Sequence, residues 1–327
     1  MSSGSHARTV FVLVGPTASG KTAVSLPLAR LLNAEIISSD SRQVYRYMDI
    51  GTAKPTPAER ALVPHHFVDM LNPDQEYSAG EFGTRGREEI ERIFARGRVP
   101  LVVGGAGLYV KSLIDGFFDG PPADPELRAQ ITERYAAGGT EALLKELERV
   151  DPVFASAVDP TKPRRMVRAL EVFHLTGVPI SRLHAEQQID IPFESRLFGL
   201  EWPRAKMYER IDRRCAAMLE GGLLEEVDGL VGRGYGPELP SLNTVGYAEA
   251  FAMRAGRVGM EEMVRLFARN SRRYAKRQMT WFRRDKRITW VAMDEARDPE
   301  GVAGEIFGLI AAGGSKSAMN MARAGSK

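Results

Sequence analysis

A glycine-rich segment near the beginning of the chain carries the clearest chemical signal. Residues 15–22 match the G-x4-G-K-[ST] pattern of a phosphate-binding loop. Its glycines let successive backbone N–H groups point into one concavity, while Lys21 supplies a charge for terminal phosphates and the Thr22 hydroxyl can bind Mg²⁺. We therefore predict a polyphosphate site made of Gly15, Pro16, Thr17, Ala18, Ser19, Gly20, Lys21 and Thr22.

One component of a nucleotide-hydrolysing site is missing from its usual place. Such sites add an apolar strand that ends in an aspartate and holds magnesium, but the apolar run 101–103 ends in Gly104 and Gly105. The carboxylate that follows a predicted strand near the loop is Asp40, which is then available as a general base or a metal ligand. This pattern favours a transferase over a motor or switch ATPase.

The elements that must position these residues alternate between strands and helices. The apolar runs 10–14 and 99–103 predict buried strands, 35–40 predicts a further strand that runs into a polar turn, and 22–32 and 82–96 have helical periodicity. This order predicts an α/β fold, a doubly wound parallel sheet with its chemistry at the carboxyl ends of the strands.

The second half of the chain changes character. Residues 124–188 carry helical patterns and caps, 191–200 read as a returning strand, 207–230 and 261–284 as long amphipathic helices, and 287–292 as a final strand. We predict a catalytic core at 9–120 and 191–312, a helical insertion at 121–190 and a disordered tail at 313–327.

Composition excludes several classes of protein. The single cysteine, Cys215, cannot form an intramolecular disulfide or anchor a cysteine-based zinc or iron–sulfur site. No apolar run approaches the roughly 18–20 residues that span a bilayer. From these features we expect a cytoplasmic protein without a membrane partner, and a monomer.

Two consecutive blocks carry a family resemblance. Residues 37–45 (Ile-Ser-Ser-Asp-Ser-Arg-Gln-Val-Tyr) and 48–55 (Met-Asp-Ile-Gly-Thr-Ala-Lys-Pro) resemble the tRNA dimethylallyltransferases, also called tRNA isopentenyltransferases or the IPP transferase family. Further blocks agree in the same order, at 65–69, 77–79, 104–109, 168–172, 245–247 and 274–282. The resemblance covers roughly residues 9–295 and implies a fold like that of the P-loop nucleoside triphosphate hydrolases, with a helical insertion.

The resemblance also implies an activity and its residues. Family members transfer a dimethylallyl group from dimethylallyl diphosphate to N6 of adenosine 37 in the tRNA anticodon loop, with Mg²⁺. By this resemblance the loop holds the diphosphate, Asp40 takes the proton from the adenine amine, and Lys21 and Thr22 assist catalysis. Arg210 and Arg214 are four residues apart on one helical face and match the family's diphosphate-binding pair.

Contacts with tRNA follow from the resemblance and from charge. The implied set is Asp40, Ser41, Arg42, Gln43, Ala106, Arg128, Arg164, Arg165, Met166, Val167, Arg168, Lys276, Arg277 and Gln278. The window 269–287 holds nine basic residues and one acid, interleaved with three aromatic residues that we expect mainly in the core. The overall net charge of +3 therefore averages a basic window with an acidic insertion.

The sequence departs from the family at three places. Ala106 stands where a threonine is usual, Arg164 follows Lys162-Pro163 where the family often has a glutamine, and Asn243 replaces a common arginine. Three alternative functions remain open at this point. They are an adenylate isopentenyltransferase that uses a free nucleotide, a P-loop small-molecule kinase that binds ATP, and a non-catalytic RNA-binding protein with a vestigial loop.

Overall fold

The computed structural model describes residues 8–116, 120–121, 124–186 and 190–324. It divides the chain into two compact units, one formed by Met1–Ile114 with Ile191–Lys327 and the other by Asp115–Asp190. The predicted boundaries of the insertion, 121 and 190, lie close to those of the second unit.

A six-stranded parallel sheet organises the first unit. Its strands are β1 (Thr9–Val14), β2 (Ala34–Ser39), β3 (His65–His66), β4 (Val99–Gly104), β5 (Glu194–Glu201) and β6 (Ile288–Ala292). The spatial order is β3-β2-β4-β1-β5-β6, and every neighbouring pair is parallel. The predicted α/β fold with a parallel sheet is thereby confirmed.

Helices connect and cover these strands. Those of the first unit are α1 (Lys21–Leu32), α2 (Pro57–Leu62), α3 (Ala79–Ala95), α4 (Gly107–Ile114), α9 (Arg204–Glu220), α10 (Leu223–Gly232), α11 (Tyr247–Arg254), α12 (Met260–Phe282) and α13 (Pro299–Ala324). Those of the second unit are α5 (Pro125–Val150), α6 (Pro152–Ala157), α7 (Pro163–Thr176) and α8 (Ile180–Glu186).

The strand register places three loops at one edge of the sheet. Val14 and Ser39 both align with Gly104, so β1, β2 and β4 end side by side. Gly104 has to be a glycine, because a Cβ atom there would lie 2.0 Å from the Ser39 carbonyl oxygen. The loop after β1, Asp40 after β2 and the glycines after β4 therefore begin at the same edge.

Three elements differ from the sequence-based expectation. The single helix expected over 207–230 is two helices, because Gly222 adopts a φ of 99° between them. Strand β3 was not predicted, since two residues are too short for a hydrophobic pattern. The tail expected to be disordered falls within α13 as far as Ala324, and 325–327 lie outside the described residues.

The helical unit has its own core. Its buried apolar residues come from α5, α6, α7 and α8, and α5 is interrupted at Gly139. The buried carboxylate of Glu171 accepts hydrogen bonds from Arg128 at 3.0 Å, from Arg168 at 2.8 Å and from the Asp124 backbone N–H at 2.9 Å. A buried charge with three donors is compensated, so these contacts tie α5 to α7.

Candidate active site

The phosphate loop joins β1 to α1 in the geometry that its motif requires. Gly20, the N-cap of α1, has a φ of 91° that a residue with a side chain rarely adopts. The first N–H groups of α1 have no acceptor within the helix, and together with the helix dipole they favour an anion at this end.

Neighbouring side chains hold the carbonyl groups of this loop. Arg210 Nε donates to the Ala18 carbonyl at 3.0 Å, and Trp202 Nε1 donates to the Ser19 carbonyl at 3.0 Å. The Arg210 guanidinium also lies 4.1 Å from the centre of the Trp202 ring, an attractive cation–π geometry. Lys21 Nζ donates to the Gly15 and Pro16 carbonyls, at 2.9 and 2.7 Å.

The loop borders a cavity of about 900 Å³ that is strongly cationic. Among the described residues, six basic side chains line the cavity against two carboxylates, those of Asp40 and Glu59. The six are Lys21, Arg42, Lys54, Arg210, Arg213 and Arg214. Lys54 is already paired with Asp49 and Asp69, and Arg213 with Glu295. The remaining cations still outnumber the carboxylates and favour an anionic ligand.

Burial changes the protonation of the cations in this cavity. Burial and, to a smaller extent, the Arg214 guanidinium lower the pKa of Lys21 to about 7, although the Asp40 carboxylate opposes the change. Burial also lowers the pKa of Arg214 from its ordinary value, again against the attraction of Asp40. When the surroundings of a cation disfavour its charged form, a bound anion stabilises that form strongly.

Asp40 lies at the carboxyl end of β2 and is partly buried. Its Oδ1 atom accepts hydrogen bonds from the backbone N–H groups of Arg42 at 2.9 Å and Gln43 at 3.4 Å. Such an Asx turn fixes the direction of the carboxylate. Asp40 is thus held at the cavity wall, with Lys21 and Arg214 as its charged neighbours.

Sequence reasoning missed two residues that line the cavity. Ser271 and Tyr274 of α12 line it, and Ser271 bonds Cys215 of α9 with 3.4 Å between Oγ and Sγ. Burial and the Asp40 carboxylate raise the pKa of Tyr274 to about 12, so its hydroxyl stays protonated at neutral pH. Tyr274 was expected mainly in the core, and only its four- and three-residue spacings to Gln278 and Ser271 could have placed it here.

The remaining wall is mostly apolar. The larger apolar residues that line it come from β4, α9, α12 and two loops, and they are Ile50, Val103, Ile211, Met218, Val245 and Phe267. The cavity therefore offers a charged end and an apolar surface to the same ligand.

The residues expected to contact tRNA fall into different environments. Ser41 and Arg42 line the cavity, and Arg164, Arg165, Lys276 and Arg277 are exposed. Met166 and Val167 are buried in the helical unit, with 0% and 7% exposed, so their side chains belong to its core. Helical periodicity alone could have identified Met166 and Val167 as core residues, because they share one face of α7 with Leu170.

Five further residues from the same prediction make internal contacts. Arg128 and Arg168 bind Glu171 as described, and the Ala106 backbone N–H donates to the Ser39 carbonyl at 3.2 Å. Gln43 accepts from Ser38 Oγ at 2.9 Å and donates to the Ala53 carbonyl at 3.2 Å. Gln278 is buried and bonds the backbone of two loops.

The basic window 269–287 is partly neutralised by its neighbours. Arg272 pairs with Asp212, Arg283 with Glu201 and Arg287 with Asp285. Five further cations of the window are exposed, namely Arg273, Lys276, Arg277, Arg284 and Lys286. The surface is therefore less basic than the sequence count suggests. Phe282 is in the core as expected, with 3% exposed.

Oxygen donors suited to magnesium are present beside the loop. Thr22 lines the cavity together with Asp40. Mg²⁺ prefers oxygen ligands and usually keeps several waters while binding substrate phosphates, so few protein donors are needed. Elsewhere in the described part of the chain, Glu35, His66 and Glu89 lie close enough to share an ion, but Arg96 already occupies their carboxylates.

This fold and this cavity define a P-loop α/β protein whose cationic site includes a carboxylate at a neighbouring strand end. The chain belongs to the IPP transferase family, whose profile matches residues 43–285. A second profile, described as isopentenyl transferase, matches residues 8–70. The resemblance inferred from the sequence motifs is therefore confirmed.

Individual relatives agree with the family assignment. The chain is 44% identical over 287 residues to tRNA dimethylallyltransferase 1 of Pelobacter propionicus, covering 88% of this chain and 93% of that relative. It is 43% identical over 307 residues to the tRNA dimethylallyltransferase of Pelotomaculum thermopropionicum, covering 94% and 98%.

Solved structures give the same result. The full-length tRNA isopentenylpyrophosphate transferase of Bacillus halodurans matches with a TM-score of 0.71 and 38% identity, over 96% of this chain and 99% of that one. A eukaryotic dimethylallyltransferase described as acting on tRNA matches with a TM-score of 0.76 and 28% identity, over 88% and 75%. In the described residues, no helix combines the length and apolar character needed to cross a membrane.

Proposed function

We propose that this enzyme transfers a dimethylallyl group from dimethylallyl diphosphate to N6 of adenosine 37 in the anticodon loop of tRNA. The observation that carries the proposal is the arrangement of one cavity. A phosphate loop, Lys21 and two arginines form its cationic end, and Asp40 lies at the end of the adjacent strand. A prenyl diphosphate has a matching anionic end and apolar tail.

The cationic end would stabilise the leaving group. As the allylic C–O bond breaks, negative charge develops on the diphosphate, and Lys21, Arg210 and Arg214 face the cavity where it would form. Because these cations are fixed before the reaction, little reorganisation is needed in the transition state. Mg²⁺, held by the Thr22 hydroxyl and by oxygens of the diphosphate and water, would supply further positive charge.

Asp40 would serve the nucleophile. The adenine N6 nitrogen forms a bond to the allylic carbon while the diphosphate departs, and the amine must lose one proton. A carboxylate held by two backbone N–H groups is directed into the cavity and can accept that proton. The base must leave its stack in the anticodon loop to reach this wall.

RNA contacts are proposed for each unit separately, from its exposed cations. Arg164 and Arg165 on the helical unit, and Lys276 and Arg277 on α12, present charges for phosphate contacts. Ser41 and Arg42 flank Asp40 and would meet the extruded nucleotide. Asp40 meets the nucleotide as the proposed base. The other residues of the predicted set make internal contacts, and they are Gln43, Ala106, Arg128, Met166, Val167, Arg168 and Gln278.

One incubation distinguishes this function from its rivals. The protein is mixed with labelled dimethylallyl diphosphate and either unmodified tRNA or AMP, with and without ATP. We expect label in tRNA alone, independent of ATP. Label in AMP would instead indicate an adenylate isopentenyltransferase, and phosphorylation by ATP would indicate a kinase. Retention of tRNA without labelling would indicate an RNA-binding protein without catalysis.

A further inference from the structure

Gln278 connects two loops that are far apart in the sequence. It lies on α12 and is buried, with 7% of the residue exposed. Its Oε1 atom accepts a hydrogen bond from the Thr17 backbone N–H at 2.8 Å, and its Nε2 atom donates to the Gly105 carbonyl at 2.9 Å. One side chain amide therefore joins the phosphate loop after β1 to the glycine loop after β4.

The surroundings of Gln278 leave little freedom. A Cβ atom on Gly105 would lie 2.3 Å from Nε2, so the amide can approach this loop only because residue 105 is glycine. The site requires one acceptor and one donor on a planar group, which a neutral amide provides. An apolar side chain would leave the Thr17 N–H and the Gly105 carbonyl without these partners.

The same helix also forms the cavity wall. Ser271, Tyr274 and Gln278 lie three and four residues apart and share one face of α12. Tyr274 is close enough to Asp40 for the carboxylate to raise its pKa. The helix that contacts the phosphate loop through Gln278 is therefore the helix that borders the proposed base.

We propose that Gln278 is a positioning residue for the diphosphate, fixing the phosphate loop against α12 and the β4–α4 loop. It acts through the Thr17 and Gly105 backbone and does not itself bind RNA, in contrast to the role that the family resemblance implies. The inference deepens the proposed function and rests on it for the identity of the diphosphate substrate.

Gln278→Met tests the role, because methionine has a similar length and lacks the amide. We expect the KM for dimethylallyl diphosphate to rise about tenfold, the size of effect expected for about 1.4 kcal/mol of lost positioning. The upward shift of the melting temperature caused by inorganic pyrophosphate should shrink, and the Kd for tRNA should stay within about twofold. Thr280→Ala is the matched control, because Thr280 is exposed and lies two residues after Gln278 on the same helix. This variant should leave the KM, the pyrophosphate-induced shift and the Kd for tRNA unchanged.

The opposite pattern would overturn the proposal. If Gln278→Met weakens tRNA binding about tenfold, as Lys276→Ala is expected to do, and leaves the diphosphate KM unchanged, Gln278 is an RNA contact. Pyrophosphate binding needs neither tRNA nor turnover. Failure of wild-type protein to modify tRNA would therefore refute the proposed function, and this measurement would still decide the role of Gln278.

Gln278→Glu adds a readout that a merely structural role would not give. An ionised glutamate can accept from the Thr17 N–H but repels the Gly105 carbonyl, whereas a protonated one again offers both a donor and an acceptor. The ratio of variant to wild-type kcat/KM should rise about tenfold as the pH falls from about 8.5 to about 6. A ratio independent of pH would contradict the proposal.

Discussion

The two ends of strand β2 differ in whether their charged side chains are balanced by opposite charges. At its beginning, the Glu35 carboxylate accepts from Arg96 Nη2 at 2.7 Å, and His66 Nε2 lies 2.7 Å from the same carboxylate. At its end, Asp40 shares a cavity wall with Lys21 and Arg214, which outnumber it. One end carries charges that satisfy each other, and the other carries an excess of cations.

The pKa directions express the same difference. Burial alone would raise the pKa of Glu35, but the hydrogen bonds from Arg96 and His66 lower it, so the folded state favours its charged form. Burial lowers the pKa values of Lys21 and Arg214, so the folded state disfavours their charged forms. The first end therefore stabilises the fold. The second end costs stability, which an anionic ligand offsets.

The largest expected effect comes from Asp40. Asp40→Asn keeps an oxygen for the Asx turn but removes the base, so we expect kcat for tRNA modification to fall about 1,000-fold or more. The melting temperature and the Kd for tRNA should stay close to wild type. Single-turnover assays with radiolabelled substrate measure the rate. A fall of less than about tenfold would show that another group takes the proton.

Arg214→Gln should have the next largest effect. It removes a buried cation from the diphosphate end, and we expect kcat/KM for dimethylallyl diphosphate to fall about 100-fold. Because the wild-type charge is disfavoured by burial, the ligand-free variant should melt at the same or a higher temperature. Differential scanning calorimetry of the ligand-free proteins measures this melting temperature. A clear loss of stability would mean that Arg214 serves the fold, as Arg96 does.

Arg96→Ala probes the other end of the strand. It leaves the buried Glu35 carboxylate without its main partner and should lower the free energy of unfolding by about 2 kcal/mol, with kcat and KM unchanged well below the melting temperature. In wild type, the Glu35 contribution is present above the unfolded pKa and is lost as the pH falls through the lower folded pKa. The stability difference between variant and wild type should therefore narrow in acid. Chemical denaturation at several pH values measures it, and a loss of activity at low temperature would contradict the division between the two ends.

Local patterns were sufficient for much of the molecule. The phosphate loop, strands β1 and β4 and Asp40 at a strand end follow from short runs of residues, because fully buried parallel strands are mostly continuous apolar runs. Strand β2 departs from this rule, since its buried residues include Glu35, Ser38 and Ser39. The role of Gln278 could not be predicted, since its partners Thr17 and Gly105 are 261 and 173 residues away. Charge counting also could not reveal that Arg128 and Arg168 form ion pairs with Glu171, because a sum of charges contains no information about which residues are in contact.

The smallest expected effect is a pH dependence that arises from Lys21. With a pKa of about 7, this lysine loses its proton within the range in which the enzyme can be assayed. A diphosphate prefers the protonated lysine, so the KM for dimethylallyl diphosphate should rise by up to about tenfold between about pH 7 and 8.5. Lys21→Arg remains charged throughout and should give a flat profile whatever its absolute KM.

For the stability of the ligand-free protein, the pKa of Lys21 predicts a pH dependence of the opposite sign. Its unfolded-state pKa is near 10.5, so between about pH 7 and 10.5 the unfolded chain binds more protons than the folded one. The Lys21 contribution to the free energy of unfolding of the ligand-free protein therefore becomes more favourable with rising pH across this window, while diphosphate affinity falls. Urea denaturation of wild type and Lys21→Met isolates this slope. Parallel slopes in the two proteins would mean that Lys21 keeps its charge, and the contrast between the two ends of β2 would then rest on Arg214 alone.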